Sequence, residues 1–243
     1  MKYFVINLDR YQNRLSNFFN TNGNSDKIER FRAVDGNKLV IETLEKRGLI
    51  EKELRSYSRP ALGVALSHLL LWEKCREINE PITIFEDDAV LNDEFFEKSQ
   101  RVLETLPNSW EFIAWGWNFD SAMQFYLASS FSPCITFYSQ DELRKNIELF
   151  KNQTFVPSAY KLHTLFGAFA YGVSPLGANQ LKKHCFPIVE KKVFVPALNR
   201  DVLNYGFDVA WNEYHRYGKS FVCFPPLAVS KNDDSTIQKS SVA

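Results

Sequence analysis

Three carboxylates stand in succession at Glu86-Asp87-Asp88, directly after the apolar run Ile82-Thr83-Ile84-Phe85 and directly before Ala89-Val90-Leu91. Carboxylates this close repel one another, and burying them bare would be costly. A hard divalent cation resolves the conflict, because magnesium or manganese takes one or two carboxylates together with substrate phosphates and water. Acidic residues also end strands simply to face water, but the apolar residues on both sides favour metal binding here. If the strand continued, Glu86 and Asp88 would point to one side and Asp87 to the other; a turn at Asp87 would change that.

Elements must bring these groups to a common place. Residues 2–7 read as a buried strand ending in Asn7-Leu8-Asp9-Arg10, and residues 10–19 carry Tyr11, Leu15, Phe18 and Phe19 at helical spacing. Residues 28–34 give a second strand closed by Asp35-Gly36. Residues 59–78 form a long helix with Pro60 in its first turn. A strand at 81–85 runs into the acidic triplet, and a helix at 92–106 would be capped by Asn92 or Asp93. Further strands are expected at 111–117 and 165–173, and helices at 174–184 and 201–217. Residues 118–161 look like an irregular insertion that forms loops or a small subdomain and carries acceptor contacts; residues 228–243 look like a mobile tail. Alternating strands and helices over 1–243 predict a single α/β domain, a mostly parallel sheet with helices on both faces. In such sheets ligands gather at the carboxyl ends of strands, so Asn7 to Arg10, Asp35-Gly36 and Glu86-Asp87-Asp88 would lie along one edge.

Composition removes several alternatives. With 29 basic and 29 acidic residues, the chain lacks the basic excess that nucleic acid binding would use. Cys75, Cys134, Cys185 and Cys223 form no C-x-x-C pair, which disfavours a zinc ribbon or redox dithiol. No uncharged apolar run approaches the length of a membrane span, and charge arrives too early for a signal peptide, so a cytoplasmic protein is expected. Aromatic residues make up 15% of the chain, a content that suits stacking on sugars and equally suits a core.

Taken together and in order, the motifs resemble glycosyltransferase family 25, the lipooligosaccharide galactosyl- and glucosyltransferase group that includes collagen galactosyltransferases. They are Phe4-Val5-Ile6-Asn7-Leu8-Asp9-Arg10 with Arg14, Ala33-Val34-Asp35-Gly36, Gly63 with Ser67-His68 and Trp72, and Phe85-Glu86-Asp87-Asp88-Ala89. Phe166-Gly167, Tyr171, Ser174, Gly177-Ala178, Asp208, Pro226-Leu227, Ser235 and Ile237 continue the series. The family's Gly-x-x-Gly-Cys-x-x-Ser-His stretch appears with Pro60 for the first glycine and Val64 for the cysteine, leaving Ser67-His68 intact.

The resemblance implies a GT-A fold and an inverting transfer of a hexose, galactose or glucose, from a UDP-sugar. It also implies a Mn2+ or Mg2+ ion and an oligosaccharide or glycolipid acceptor. A lipid-linked acceptor would bring the enzyme to the inner face of the membrane. Asp88 would bind the metal, with Glu86 or Asp87 completing its shell or holding the ribose. Asn7, Leu8, Asp9, Arg10, Arg14, Asp35, Gly36, Ser67 and His68 would contact the donor, though Asp9 also suits loop capping and His68 a satisfied core position. The base that deprotonates the acceptor would be Asp208, with Asp201, Glu213 and His163 behind it. Asp208 also suits a helix cap. Two other readings remain: a sugar-nucleotide nucleotidyltransferase, which would want a glycine-rich phosphate loop not found after the first strand, and a noncatalytic carbohydrate-binding protein.

Overall fold

The computed structural model describes residues 1–23, 26–127 and 133–230. The first apolar run is β1 (Lys2–Asn7), flanked on its two sides by β2 (Ile28–Arg32) and β3 (Ile82–Glu86), both parallel to it. Parallel strands need crossovers, which α1 (Gln12–Asn22) supplies between β1 and β2, and α2 (Ile41–Lys46) and α3 (Arg59–Ile78) between β2 and β3. Ser58 caps α3 by accepting the Ala61 N–H at 3.3 Å, Pro60 occupies its first turn, and Asn79 ends it in the left-handed region at φ 51°.

The chain continues through β4 (Ala89–Leu91), α4 (Phe95–Glu104), β5 (Phe112–Ala114), β6 (Met123–Tyr126) and β7 (Cys134–Thr136). Next come α5 (Gln140–Lys145), α6 (Ile147–Asn152), β8 (Ser158–Thr164), β9 (Ala170–Val173) and α7 (Pro175–Cys185). It ends with β10 (Lys192–Val195), β11 (Arg200–Leu203), α8 (Phe207–His215), β12 (Ser220–Phe224) and β13 (Ala228–Ser230). Among the described residues the main sheet has nine strands in the order β2-β1-β3-β9-β5-β12-β8-β6-β7. Strands β2, β1, β3, β5, β12 and β6 run one way, and β9, β8 and β7 run against them. The sheet is therefore mostly parallel in direction, with opposed strands interleaved.

Side chains alternate across the pleat and split the core into two layers. Phe18 of α1 and Phe95 of α4 pack against Phe85 on one face. On the other, His68 and Trp72 of α3 and Trp211 of α8 pack around Tyr171 and Phe112, and α7 lies between α3 and α8. Trp72, Trp115, Trp117 and Trp211 are wholly buried, so the tryptophan content belongs mostly to the core.

Several elements differ from their expected limits. The strand expected at 165–173 begins only at Ala170, because Gly167 takes φ +88° and turns the preceding segment into a loop. The helix expected from 201 begins at Phe207, after Arg200–Leu203 has formed a hairpin with Lys192–Val195. Asn92 and Asp93 do not occupy the N-cap of α4; Glu94 does, and the Asn92 amide instead donates to the carbonyls of Phe150, Lys151 and Gln153, each at 3.0 Å. The insertion at 118–161 holds β6, β7, α5, α6 and the start of β8, whose strands extend the main sheet at its far edge. The first three residues of the expected tail are β13, buried and paired with β4; residues 231–243, with Ser235 and Ile237, lie outside the described residues.

Candidate active site

The parallel strands β1, β2 and β3 end together, and a cleft opens over their carboxyl ends with about 650 Å3 of empty space, part of it open to solvent. It is lined by Asn7, Leu8, Arg10, Arg14, Gly36, Ser67, His68, Glu86 and Asp87, so nine of the residues expected to contact a donor meet there. A second cavity adjoins it, with about 760 Å3 of empty space, and Asp88, Asp208, Asn118, Gly167 and Ser230 contribute to its wall. Arg14, Val64 and Glu86 line both.

The acidic triplet straddles this junction because the chain turns at Asp87-Asp88 between β3 and β4. Asp87 points into the first cleft, where Asn7 Nδ2 donates to its Oδ2 at 2.7 Å and Arg14 pairs with its Oδ1 at 2.5 Å. Asn7 is itself committed, donating also to the Tyr11 carbonyl at 2.9 Å and accepting from Arg30 Nε at 3.2 Å. Its polar groups therefore serve to orient Asp87. Asp88 faces the second cavity, where Ser230 Oγ donates to its Oδ2 at 2.9 Å and its buried Oδ1 has no hydrogen-bond partner among the described residues.

Burial and mutual repulsion mark the two flanking carboxylates. Burial, then the charge of Asp87, pushes Glu86 up to about 7, although 32% of its side chain still faces the cleft. Burial, then the charge of Glu86, pushes Asp88 up to about 6. An unpartnered buried oxygen beside a second strained carboxylate fits a magnesium or manganese ion that draws its other ligands from a diphosphate and water. Among the described residues, no cluster of three or more His, Cys, Asp or Glu residues is arranged to hold an ion by itself.

His68 reaches this edge from the interior of α3. Trp72 Nε1 donates to the Tyr171 hydroxyl at 2.8 Å, and His68 Nδ1 lies 2.8 Å from the same oxygen. An indole only donates and takes one lone pair of that oxygen, so the hydroxyl meets Nδ1 either with its own proton or with its second lone pair, according to the imidazole tautomer. His68 Nε2 has no hydrogen-bond partner among the described residues and lies 3.5 Å from Glu86 Oε1, long for a hydrogen bond. Burial pushes His68 down to about 3, so it stays neutral near pH 7. It is both a satisfied core histidine on one side and the neighbour of a site carboxylate on the other.

Ser67 works on the backbone. It accepts the Val34 N–H at 2.9 Å and donates to the Gly63 carbonyl at 2.7 Å, pinning the loop after β2 to α3. That loop comes so close that a Cβ on Gly36 would stand 1.9 Å from the Arg59 carbonyl oxygen, and one on Gly63 would stand 2.7 Å from Gly36 N. Glycine is required at both positions for the cleft wall to close.

Asp208 sits in the first turn of α8, as a helix-start carboxylate would, and its Oδ2 accepts the Gly167 N–H at 3.0 Å. Burial raises its pKa while the backbone N–H groups of Gly167, Asp208 and Val209 oppose that rise. Gly167 has a positive φ, and a Cβ there would stand 2.3 Å from Asn118 Oδ1 and 2.8 Å from Asn118 N, so any larger residue would be strained. Of the four base candidates, Asp208 alone lines the cavity. Asp201 is exposed on β11, Glu213 is bound to Lys191 with His184 at 3.4 Å, and His163 lies on β8 beside Tyr126.

Asp9 falls outside the cleft lining and is half-exposed, paired with Arg30 at 2.7 Å and Arg32 at 2.6 Å; the Arg30 hydrogen bond leads in holding its carboxyl below the usual range. Asp35 stands behind the lining, bonded to Arg10 and accepting the Asn37 N–H at 3.1 Å. Asn118, Tyr171 and Ser230 were not singled out for chemistry from sequence. The apolar run Leu227-Ala228-Val229 was the available sign that Ser230 would be drawn into the fold.

Residues 1–197 match the family model described as glycosyltransferase family 25 (LPS biosynthesis protein). A protein of Aedes aegypti named glycosyltransferase 25 family member is 31% identical over 129 residues, which is 46% of this chain. The match spans 20% of that relative's length. Among solved structures, A197 from STIV has a TM-score of 0.40 at 9% identity, covering 94% of this chain and 83% of that one. The mannose-1-phosphate geranyltransferase from Thermus thermophilus has a TM-score of 0.37 at 12% identity, covering 77% of this chain and 62% of that one.

Proposed function

Because the chain belongs to glycosyltransferase family 25, we propose that its two adjoining cavities hold a UDP-hexose donor and a carbohydrate acceptor, and that it transfers the hexose with inversion. Galactose is favoured over glucose, and the acceptor is an oligosaccharide or glycolipid of the lipopolysaccharide type. The observation that carries this reading is the meeting of the Asn7–Asp87 cleft and the Asp88–Asp208 cavity at Glu86 and Arg14. A nucleotide lies along the first, and its sugar reaches the second.

Asp208 takes the proton from the acceptor hydroxyl as that oxygen attacks the anomeric carbon. The bond from that carbon to the diphosphate breaks, and UDP leaves with the electron pair. General base catalysis needs an ionised carboxylate that is poorly solvated, and the buried setting of Asp208 suits it. Asp88, with Glu86, would hold a magnesium or manganese ion whose charge offsets that of the departing diphosphate. Asn7 and Arg14 hold Asp87 in place, and Ser230 holds Asp88. No helix among the described residues is long and apolar enough to cross a membrane, so a lipid-linked acceptor would be met at the membrane surface.

The test is release of UDP from UDP-galactose and UDP-glucose, with manganese and with chelator. Metal-dependent release from one of them is expected. A folded protein that binds neither nucleotide nor metal at this edge would overturn the reading.

A further inference from the structure

We propose that Tyr205, next in sequence to the Gly206-Phe207-Asp208 segment that lines the Asp208 cavity, is a stacking platform for the apolar face of a pyranose ring, and that this sugar is the acceptor. The second clause rests on the transfer reaction proposed above; the first stands without it.

Tyr205 immediately precedes Gly206, Phe207 and Asp208, all of which line the cavity, yet its own side chain is 49% exposed. The backbone around it is held on both sides. Asn204 is buried, accepting from the Tyr57 hydroxyl at 2.9 Å and donating to the Val189 carbonyl at 2.9 Å, and Phe207 is buried against His68 and Trp211. The hairpin of β10 and β11 that leads to Tyr205 has its own apolar cluster, in which Val193 and Val195 pack with Phe166 and with Val209 of α8. Phe166 adjoins Gly167, the donor to Asp208. The ring is thus presented on a rigid support that also positions the proposed base.

An aromatic ring left half in water on fixed backbone offers contact area at little entropic cost. Its surroundings suit a sugar. Burial raises the phenol pKa, the charges of Asp208 and Asp120 push it the same way and that of Arg200 opposes them, so charged side chains of both signs lie within electrostatic range of the hydroxyl. A pyranose needs this combination: an aromatic surface for its C–H face and charged hydrogen-bonding groups for its hydroxyls. Phe137 and Tyr217 are more exposed, at 68% and 75%, but neither adjoins in sequence a residue that lines the cavity.

The experiment is saturation-transfer NMR with methyl β-galactopyranoside and methyl β-glucopyranoside, on the full chain and on Tyr205→Ala, Tyr205→Phe and Tyr205→Trp, with UDP binding measured in parallel. Saturation of one face of at least one glycoside is expected. Binding should persist in the Phe and Trp variants and weaken about tenfold in the Ala variant, with UDP affinity unchanged. Equal glycoside binding by Tyr205→Ala and the native chain, or no glycoside binding by the native chain, would overturn the platform. Should Tyr205→Ala fail to fold, weakened binding by Tyr205→Phe or Tyr205→Trp has the same force. A native chain that binds a glycoside but releases UDP from no UDP-hexose refutes the transfer reaction and leaves the platform standing.

Discussion

At the scale of single residues, the site separates groups that orient from groups left with unmet demands. Asp87 is satisfied by Asn7 and Arg14, whereas Asp88 keeps one buried oxygen without a partner among the described residues and Asp208 accepts a backbone N–H. Asp208→Asn should retain nucleotide affinity and lose transfer by about 10^2- to 10^4-fold, the usual share of a general base; unchanged turnover would remove it from that role. Asp88→Ala should abolish metal-dependent UDP release while leaving the thermal transition in place, which calorimetry alongside the assay would check. Tyr171→Phe keeps the ring between His68 and Phe112 but removes the hydroxyl that serves Trp72 Nε1 and His68 Nδ1. Orphaning two buried polar groups costs roughly 1–3 kcal/mol each, so a loss of about 2 kcal/mol or more is expected in denaturant unfolding. A loss below half that would show the chain of hydrogen bonds to be dispensable.

At the scale of elements, the cleft depends on how closely α3 approaches the loop after β2. Alanine at position 63 would favour the helix by about 1 kcal/mol from propensity alone. Its Cβ, however, would meet the Gly36 N and Val34 O atoms, both at 2.7 Å, and neither backbone group can swing aside as a side chain would. Overpacking of this kind costs about 1–3 kcal/mol, so Gly63→Ala should be destabilising on balance and should weaken UDP binding by displacing the cleft wall. Titration calorimetry giving native UDP affinity in a destabilised variant would separate the two effects. The same crossing explains why Ser67, though it lines the cleft, commits its hydroxyl to the backbone. On the opposite face, Asn22 at the end of α1 accepts from Leu91 N at 2.8 Å and donates to the Ala89 carbonyl at 2.9 Å, holding β4 and with it the turn that carries Asp88.

At the scale of the whole molecule, the site stores electrostatic repulsion that a cation would relieve. A carboxylate whose folded pKa is raised binds its proton more tightly in the native than in the unfolded chain, so its contribution to stability is present at low pH and is lost as pH rises through the folded value. For Asp88 and Glu86 that window ends near 6 and 7. Manganese, which needs both ionised, should therefore raise the melting temperature at about pH 7.5 and have little effect at about pH 5. An equal shift at both values would place the bound ion elsewhere. How much of this was legible follows from the range of the forces involved. The acidic triplet after an apolar strand, the limits of β1 and α3, and the helix opened by Ser174-Pro175 are local matters of hydrophobic period and capping chemistry, written in adjacent residues. That Asp208 would reach the same cavity as Asp88, that Asp9 would turn to Arg30 and Arg32, and that Ser230 would donate to Asp88 depended on chain packing across long separations. Strands added at the far edge of the sheet, a hairpin where a helix was expected, and a supposed tail folded back onto β4 belong to that second kind. Periodicity tells each segment which face to bury; only the assembled layers decide which distant side chain stands opposite it.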